Sequence, residues 1–476
     1  MRESPGNPLR RLFPDGIVIF LFVFIVYEIS INVVWATDHV TSLIQLDYAL
    51  LSSHSVALVN SGPPFTVDNF HYGGQTYSAL APGSSFLALP FMAVAFYQAG
   101  GYTAYGPALF WSGTFVSVTG AVAAYLVYKI AGMYFRRATS IFLGLALGFS
   151  TICWPFATYF FQSDVSAMLV LAGVYFAIKA GRAGGAAALP AFACGLVAGL
   201  AFTVDYVDAI IVPVLLAFLI FRKRGSLQSV AVAAAAFLLG ALPGFAAIGA
   251  YNIAIFGTPF MFTEQAYVGQ SLLQKFSTPL PYGLALNFVS LSRGLFAFAP
   301  FTLLGVLGYF EALRAKGARS ETLLWLAIFL GIVIPYSAWY EPAGGLAFGP
   351  RFIVPAIPLI LLPAGYIIEQ AKGFRAALVY VVYAAGAVVN GMAAFVTAVP
   401  PSTAFDVSPF TSYVVPSFWA GNFDSVWVSY LGRAWYLGAV LVAALGVCLP
   451  LIWVEAVRRR GPGRPGLGAQ SGPAAP

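Results

Sequence analysis

Apolar runs of membrane length recur from residue 17 to residue 456, almost free of ionisable side chains. A span needs about 20 predominantly apolar residues. The runs lie near 17–36, 107–130, 138–155, 163–181, 188–203, 207–221, 229–252, 294–312, 322–340, 352–369, 376–398 and 434–456. Only 9% of the 476 residues are charged, whereas a soluble domain carries about 25%. There is too little charge to coat a water-facing surface. Three cysteines, Cys153, Cys194 and Cys448, cannot staple a secreted scaffold of this length, and all sit in apolar runs as packing residues. The formal net charge of +7 does not indicate nucleic acid, because the cations fall singly or in short groups between the runs. Lys and Arg in that position orient helices. The reading is an all-α integral membrane protein of about 12 transmembrane helices, a single domain over 1–460 followed by a disordered cytoplasmic tail, 461–476.

One further run, 84–98 (SSFLALPFMAVAFYQ), is short and carries Pro90. If it re-enters or lies in the interface, only Lys275, Arg293, Arg351 and Arg433 face outward and the other cations face the cytoplasm. If it spans, every later cationic loop flips outward, against the positive-inside rule. The expectation is therefore a re-entrant or interfacial helix, with both termini cytoplasmic. The first run follows Arg10 and Arg11 without a small-x-small cleavage site, as a retained signal anchor does. Three long outer loops result, 37–106, 253–293 and 399–433. Asp38, Asp47, Asp68, Asp164, Asp205, Asp208, Glu264, Glu341, Asp406 and Asp424 fall in them or at outer helix ends. Polar chemistry is expected on that outer face of a plasma (cell) membrane.

No P-loop, Gly-x-Gly-x-x-Gly, His-Glu-x-x-His or Cys-x-x-Cys occurs. Asp38 follows the first run in WATDHVTSLIQLDYALL. It is placed either to act as a general base at the membrane boundary or to cap a helix over 40–51. Asp68 and His71 precede YGGQTYSALAPG, a glycine-rich turn into the re-entrant segment. Asp164, Asp205 and Asp208 read either as functional acids near hydrocarbon or as helix caps. Glu28, inside the first run, should face other helices. His39, His54 and His71 all fall in the first outer loop and, with nearby aspartates, include suitable ligands for a divalent cation, though the spacing matches no metal motif. Arg351 and Arg293 each open an apolar run on the outer side. A guanidinium there suits a lipid phosphate held for function, or only a headgroup contact or a salt bridge to Glu341.

The order of a first span, an Asp in a long outer loop, then YSALAPGSSFLALP before a non-spanning apolar helix resembles the GT-C superfamily of membrane glycosyltransferases. The nearest likeness is to the protein-mannosyltransferase and aminoarabinose-transferase-like members. YNIAIFGTPF, SRGLFAFAPF and the stretch WYEPAGGLAFGPRF at 339–352 extend it over most of 17–369. The resemblance implies transfer of a hexosyl or pentosyl group from a polyprenyl-phosphate carrier to an acceptor on the outer face. Asp38 then takes the place of the catalytic base, and Arg351, less strongly Arg293, binds the carrier phosphate. Asp68, Asp164, Asp205 and His39 are the candidates for a second acid or acceptor-side group. Better-known members often carry an acidic pair where this chain has Asp38-His39, so metal dependence is left open. Two other classes fit the same hydropathy: a transporter or flippase of a lipid-linked glycan or small solute, and an assembly factor whose outer loops bind a partner. Against the transporter stand the absence of repeated halves and the outer position of the acids.

Overall fold

A computed structural model describes residues 14–32, 37–58, 66–101, 105–184, 187–269, 272–432 and 434–459. The segment 461–476 and Arg433 lie outside the described residues. The helices are α1 (Asp15–Ser30), α2 (Asp38–Ser53), α3 (Gly83–Gln98), α4 (Tyr105–Ala131), α5 (Arg137–Phe149), α6 (Gln162–Arg182), α7 (Ala188–Val204), α8 (Ile211–Lys223), α9 (Leu227–Phe256), α10 (Leu280–Phe288), α11 (Thr302–Arg314), α12 (Arg319–Ala338), α13 (Phe374–Val396) and α14 (Ala434–Arg459). Between α12 and α13 runs a bent pair, Arg351–Leu361 and Ala364–Gln370, angled by 41°.

This is a multi-pass membrane protein. Among the described residues, α4, α6, α9, α12, α13 and α14 are long and apolar enough to cross a membrane, and the bent pair makes a seventh crossing if counted as one. Each of the other expected runs also holds helix, but in shorter pieces. The first helix stops at Ser30, and Asn32 instead bridges antiparallel to Ser425. Pro300 sits between the short Leu295–Phe298 helix and α11, and Pro363 at the bend of the 351–370 pair; proline has no amide N–H to continue a helical ladder. The run at 84–98 forms α3, 16 residues long, packed on α2, α4 and α7.

Two features were absent from the sequence reading. NFHYGGQTYS folds as a β-hairpin, β1 (Asn69–Tyr72) pairing antiparallel with β2 (Gln75–Ser78). Gly73 and Gly74 have φ of 55° and 80°, the pair of positive angles that a two-residue hairpin turn demands. The chain is otherwise helical, as the all-α expectation has it, and this two-stranded sheet is the one sheet among the described residues. Phe70 and Tyr72 of the hairpin meet Phe256 at the end of α9, with ring centroids 6.1 and 5.0 Å apart. The second feature is the seam between α7 and α9, where glycines four apart face each other. A Cβ on Gly195 would stand 1.9 Å from the Phe237 carbonyl oxygen, and one on Gly240 2.1 Å from that of Phe192. Small residues at this spacing let two membrane helices touch backbone to backbone.

Candidate active site

Asp68 is held by its own backbone before its side chain does anything. Its carbonyl accepts from the Ser42 hydroxyl (3.1 Å) and from the Ala79 amide (2.8 Å), so α2 and the hairpin both grip it. Asn69 next to it donates to Gln45 Oε1 at 2.7 Å. At the head of α2, Thr37 is the N-cap and accepts from the Val40 amide. Asp38 is therefore not the cap but the first helical residue, and it is exposed. His39 turns inward, with Nδ1 3.7 Å from Asp68 Oδ2 and its ring 5.3 Å from Phe161. Burial, then the positive charge of Arg351, holds the His39 pKa well below its ordinary value, so the imidazole is neutral. Burial raises the Asp68 carboxyl; Arg351 opposes this, and the negative charges of Asp38 and Glu341 reinforce it.

Arg351 opens the bent pair, which packs on α6 and α12. The loop before it, EPAGGLAFGP, bends at three glycines with positive φ (Gly344, Gly345 and Gly349). A Cβ on Gly344 would lie 3.3 Å from both Cβ and Nε of Arg351, so only glycine leaves the guanidinium room there. That guanidinium lies 5.1 Å from the Phe161 ring centroid and 5.2 Å from that of Phe352. Among the described residues no carboxylate comes within salt-bridge distance of it, Glu341 included. Arg293 reaches the same loop, donating to the Gly345 carbonyl and resting 4.2 Å over the Phe405 ring.

Asp205 lies where α7 ends. Its Oδ2 accepts from the Tyr336 hydroxyl at 2.5 Å and from Gln162 Nε2 at 3.4 Å, and its Oδ1 from the Val207 amide at 3.0 Å. Burial raises its pKa, while these three bonds and the charge of Arg351 pull it back. Glu264, between α9 and α10, is pushed up to about 7, chiefly by burial and then by Asp205 and Asp68. The helix ends and loops around Arg351 thus bring Asp38, His39, Asp68, Asp205, Glu264 and Glu341 into one electrostatic neighbourhood, in which the charge of Arg351 acts on His39, Asp68 and Asp205 and that of Lys275 on Glu264.

Comparison with models of known families finds no match, and comparison with curated protein sequences finds none. Comparison with solved structures does. ArnT from Cupriavidus metallidurans, bound to undecaprenyl phosphate, aligns with a TM-score of 0.54 and 16% identity over 96% of this chain and 79% of that one. The apo oligosaccharyltransferase of Archaeoglobus fulgidus aligns with a TM-score of 0.56 and 10% identity over 82% of this chain and 57% of its own. The chain has the GT-C fold. It spans a little over half the length of that archaeal protein. AglB from Archaeoglobus fulgidus, in complex with an inhibitory peptide and a dolichol-phosphate, aligns with a TM-score of 0.50 and 10% identity over 96% of this chain and 57% of that one.

Within this GT-C fold the remaining sequence candidates scatter. Asp164, two residues from Gln162, turns into the bundle, and neither of its carboxylate oxygens meets a described hydrogen-bond partner. Positions i and i+2 do not share a helix face, which separates the two. Asp208 also points inward, accepting from Ser166 at 2.5 Å. Glu28 accepts from Thr114 at 3.2 Å, away from the site. His54 is exposed at the end of α2 with φ 50°, and His71 is exposed on the hairpin, 3.0 Å from Thr76 Oγ1. The three histidines do not converge, and among the described residues no group of three His, Cys, Asp or Glu side chains is arranged to hold a metal ion. Tyr336, Gln162, Phe161 and Phe352 were missed by sequence reasoning. Polar or aromatic residues at outer helix ends are common, and no local motif marks these four.

Proposed function

We propose that the protein transfers a sugar from a polyprenyl-phosphate carrier to an acceptor on the outer face of the membrane, at the helix ends around Arg351. The observation that carries the reading is the arginine itself: a largely enclosed guanidinium against two aromatic rings, with no carboxylate within 4 Å among the described residues. Arginine donors arranged in this way suit a phosphate, bidentately. The GT-C fold shared with proteins solved with undecaprenyl or dolichol phosphate supports the same lipid class. A twelve-span topology with 84–98 re-entrant, which keeps the acids outside and most cations inside, supports the outer face.

In this scheme the acceptor hydroxyl attacks the anomeric carbon, and the bond from that carbon to the phosphate oxygen breaks. Polyprenyl phosphate leaves with its extra negative charge held by Arg351, with Arg293 nearby, and the hydroxyl proton passes to a carboxylate. Of the two carboxylates on the rim, Asp68 is better suited than the expected Asp38. It is only partly exposed, lies 3.7 Å from His39 Nδ1, is held through its own backbone by Ser42 and Ala79, and carries a raised pKa. Asp38 acts beside it as a second negative charge. The transporter alternative gains nothing from this arrangement, since its titratable groups cluster at one end of the bundle rather than at mid-depth.

The test is binding of undecaprenyl phosphate to the purified protein in nanodiscs. Arg351→Lys keeps the charge and loses the fork, and it should weaken binding roughly 10- to 100-fold, the worth of one charge-assisted hydrogen bond. A folded Arg351→Ala protein that binds the lipid like wild type would end this reading.

A further inference from the structure

The guanidinium of Arg351 is held by no acid directly, yet both rings it rests against lead back to the same carboxylate. Phe352 is stacked face to face on Tyr336, with centroids 4.7 Å apart and planes 15° apart, and the Tyr336 hydroxyl donates to Asp205 Oδ2 at 2.5 Å. Phe161 immediately precedes Gln162, whose carboxamide donates to that same oxygen at 3.4 Å. The Oδ1 atom is taken up by the Val207 amide at 3.0 Å, which fixes the carboxylate plane at the end of α7. Three separate stretches of chain, at 161–162, 205–207 and 336, therefore meet on one buried side chain.

We propose that Asp205 is a positioning residue for Arg351: through Tyr336 and Gln162 it sets the places of the two aromatic walls, and so holds the guanidinium ready for a phosphate without neutralising it. An acid paired directly with the arginine would occupy the donors that a phosphate needs. An acid one layer behind the walls orients the arginine and leaves those donors free. This assignment rests on the reading of Arg351 as the residue that holds the carrier phosphate, and it adds Tyr336 and Gln162, which nothing in the sequence singles out, as the two arms of the support. Asparagine at 205, with its oxygen kept on the Val207 amide, takes the charge out of both hydrogen bonds and requires Tyr336 to accept and Gln162 to turn its carboxamide, so both arms weaken. Phenylalanine at 336 keeps the stack on Phe352 and removes one arm only.

The experiment is a double-mutant cycle on undecaprenyl phosphate affinity in nanodiscs, with wild type, Tyr336→Phe, Asp205→Asn and Arg351→Ala and the doubles that include Arg351→Ala. The expected result is a loss of about 3- to 10-fold for Tyr336→Phe and a larger one for Asp205→Asn, with neither adding to the loss in the Arg351→Ala background. Losses that multiply through in that background would overturn the proposal, as would unchanged affinity in both single variants. If Asp205→Asn does not fold, Tyr336→Phe carries the test alone. An Arg351→Ala protein that binds like wild type removes the phosphate reading and this inference together. An Arg351→Ala loss with Tyr336→Phe and Asp205→Asn both neutral removes only this inference.

Discussion

Asp38 and Asp68 share a rim but should answer differently to the same conservative change. Asparagine at either position preserves size and removes a charge. At Asp68 it removes the proposed base, and transfer should fall about 10²- to 10⁴-fold across the pH range, equivalent to roughly 3–5 kcal/mol of transition-state stabilisation. At Asp38 it removes only a neighbouring negative charge that helps hold the Asp68 pKa up. An exposed charge pair is worth about 0.2–1 kcal/mol, so the acid limb of the rate profile should move down by about 0.15–0.7 pH unit while the plateau stays. The assay follows radiolabelled sugar leaving the lipid phase in membranes that express each variant, over pH 4.5–8. Undecaprenyl phosphate binding is measured alongside and should persist in both. A plateau lost in Asp38→Asn but kept in Asp68→Asn would refute the argument and return the role to the residue that the sequence favoured.

Glu264 gives a stability prediction. Its folded pKa of about 7 lies above the ordinary carboxylate value, so the folded protein holds this proton more tightly than the unfolded chain. The contribution is complete below the ordinary value and is lost as pH rises to about 7; melting in detergent should be lower at pH 7.5 than at pH 5.5, and Glu264→Gln should reduce the difference. At the α7–α9 seam, Gly195→Ala drives a methyl into the Phe237 carbonyl and should cost about 1–3 kcal/mol or more, read as a fall in melting temperature, whereas Gly225→Ala, which has open space around it, should be silent. Single cysteines at Val67 and Val407, both exposed, should label from outside, and one at exposed Leu227 only after the membrane is permeabilised; labelling of Val67 and Leu227 from the same side would remove the re-entrant assignment of α3.

The helices were legible because hydrocarbon imposes a strong rule: a run without charges has few other destinations. Breaks within runs were less legible. Pro300 and Pro363 were visible, but whether a proline kinks a span or divides it depends on what packs against the freed carbonyls. Asp68 and Arg351 were within reach of reading because an acid after a membrane exit and an arginine on the unexpected side are both anomalies. Tyr336 and Gln162 are not anomalies anywhere along the chain. They matter through a carboxylate at 205, more than forty residues from one and more than a hundred from the other, and only the folded chain brings those separations to hydrogen-bond length. The inward turn of Asp164 was not legible, because the sequence gives its helix but not its rotation.

The hairpin reads the other way. Its alternation and its Gly-Gly pair were in plain sight, inside a stretch whose neighbours are apolar helices.

The glycine seam between α7 and α9 also bears on how a lipid can approach. Where a carbonyl of one helix lies against the backbone of the next, there is no slot for a tail to thread, and parting the pair would break the closest backbone approach in this part of the bundle. A long isoprenoid chain cannot slide in sideways there. On the proposed function, such a chain would run along the outside of the pair or reach Arg351 from another flank, and the closed seam would act as a wall to lateral traffic in the bilayer.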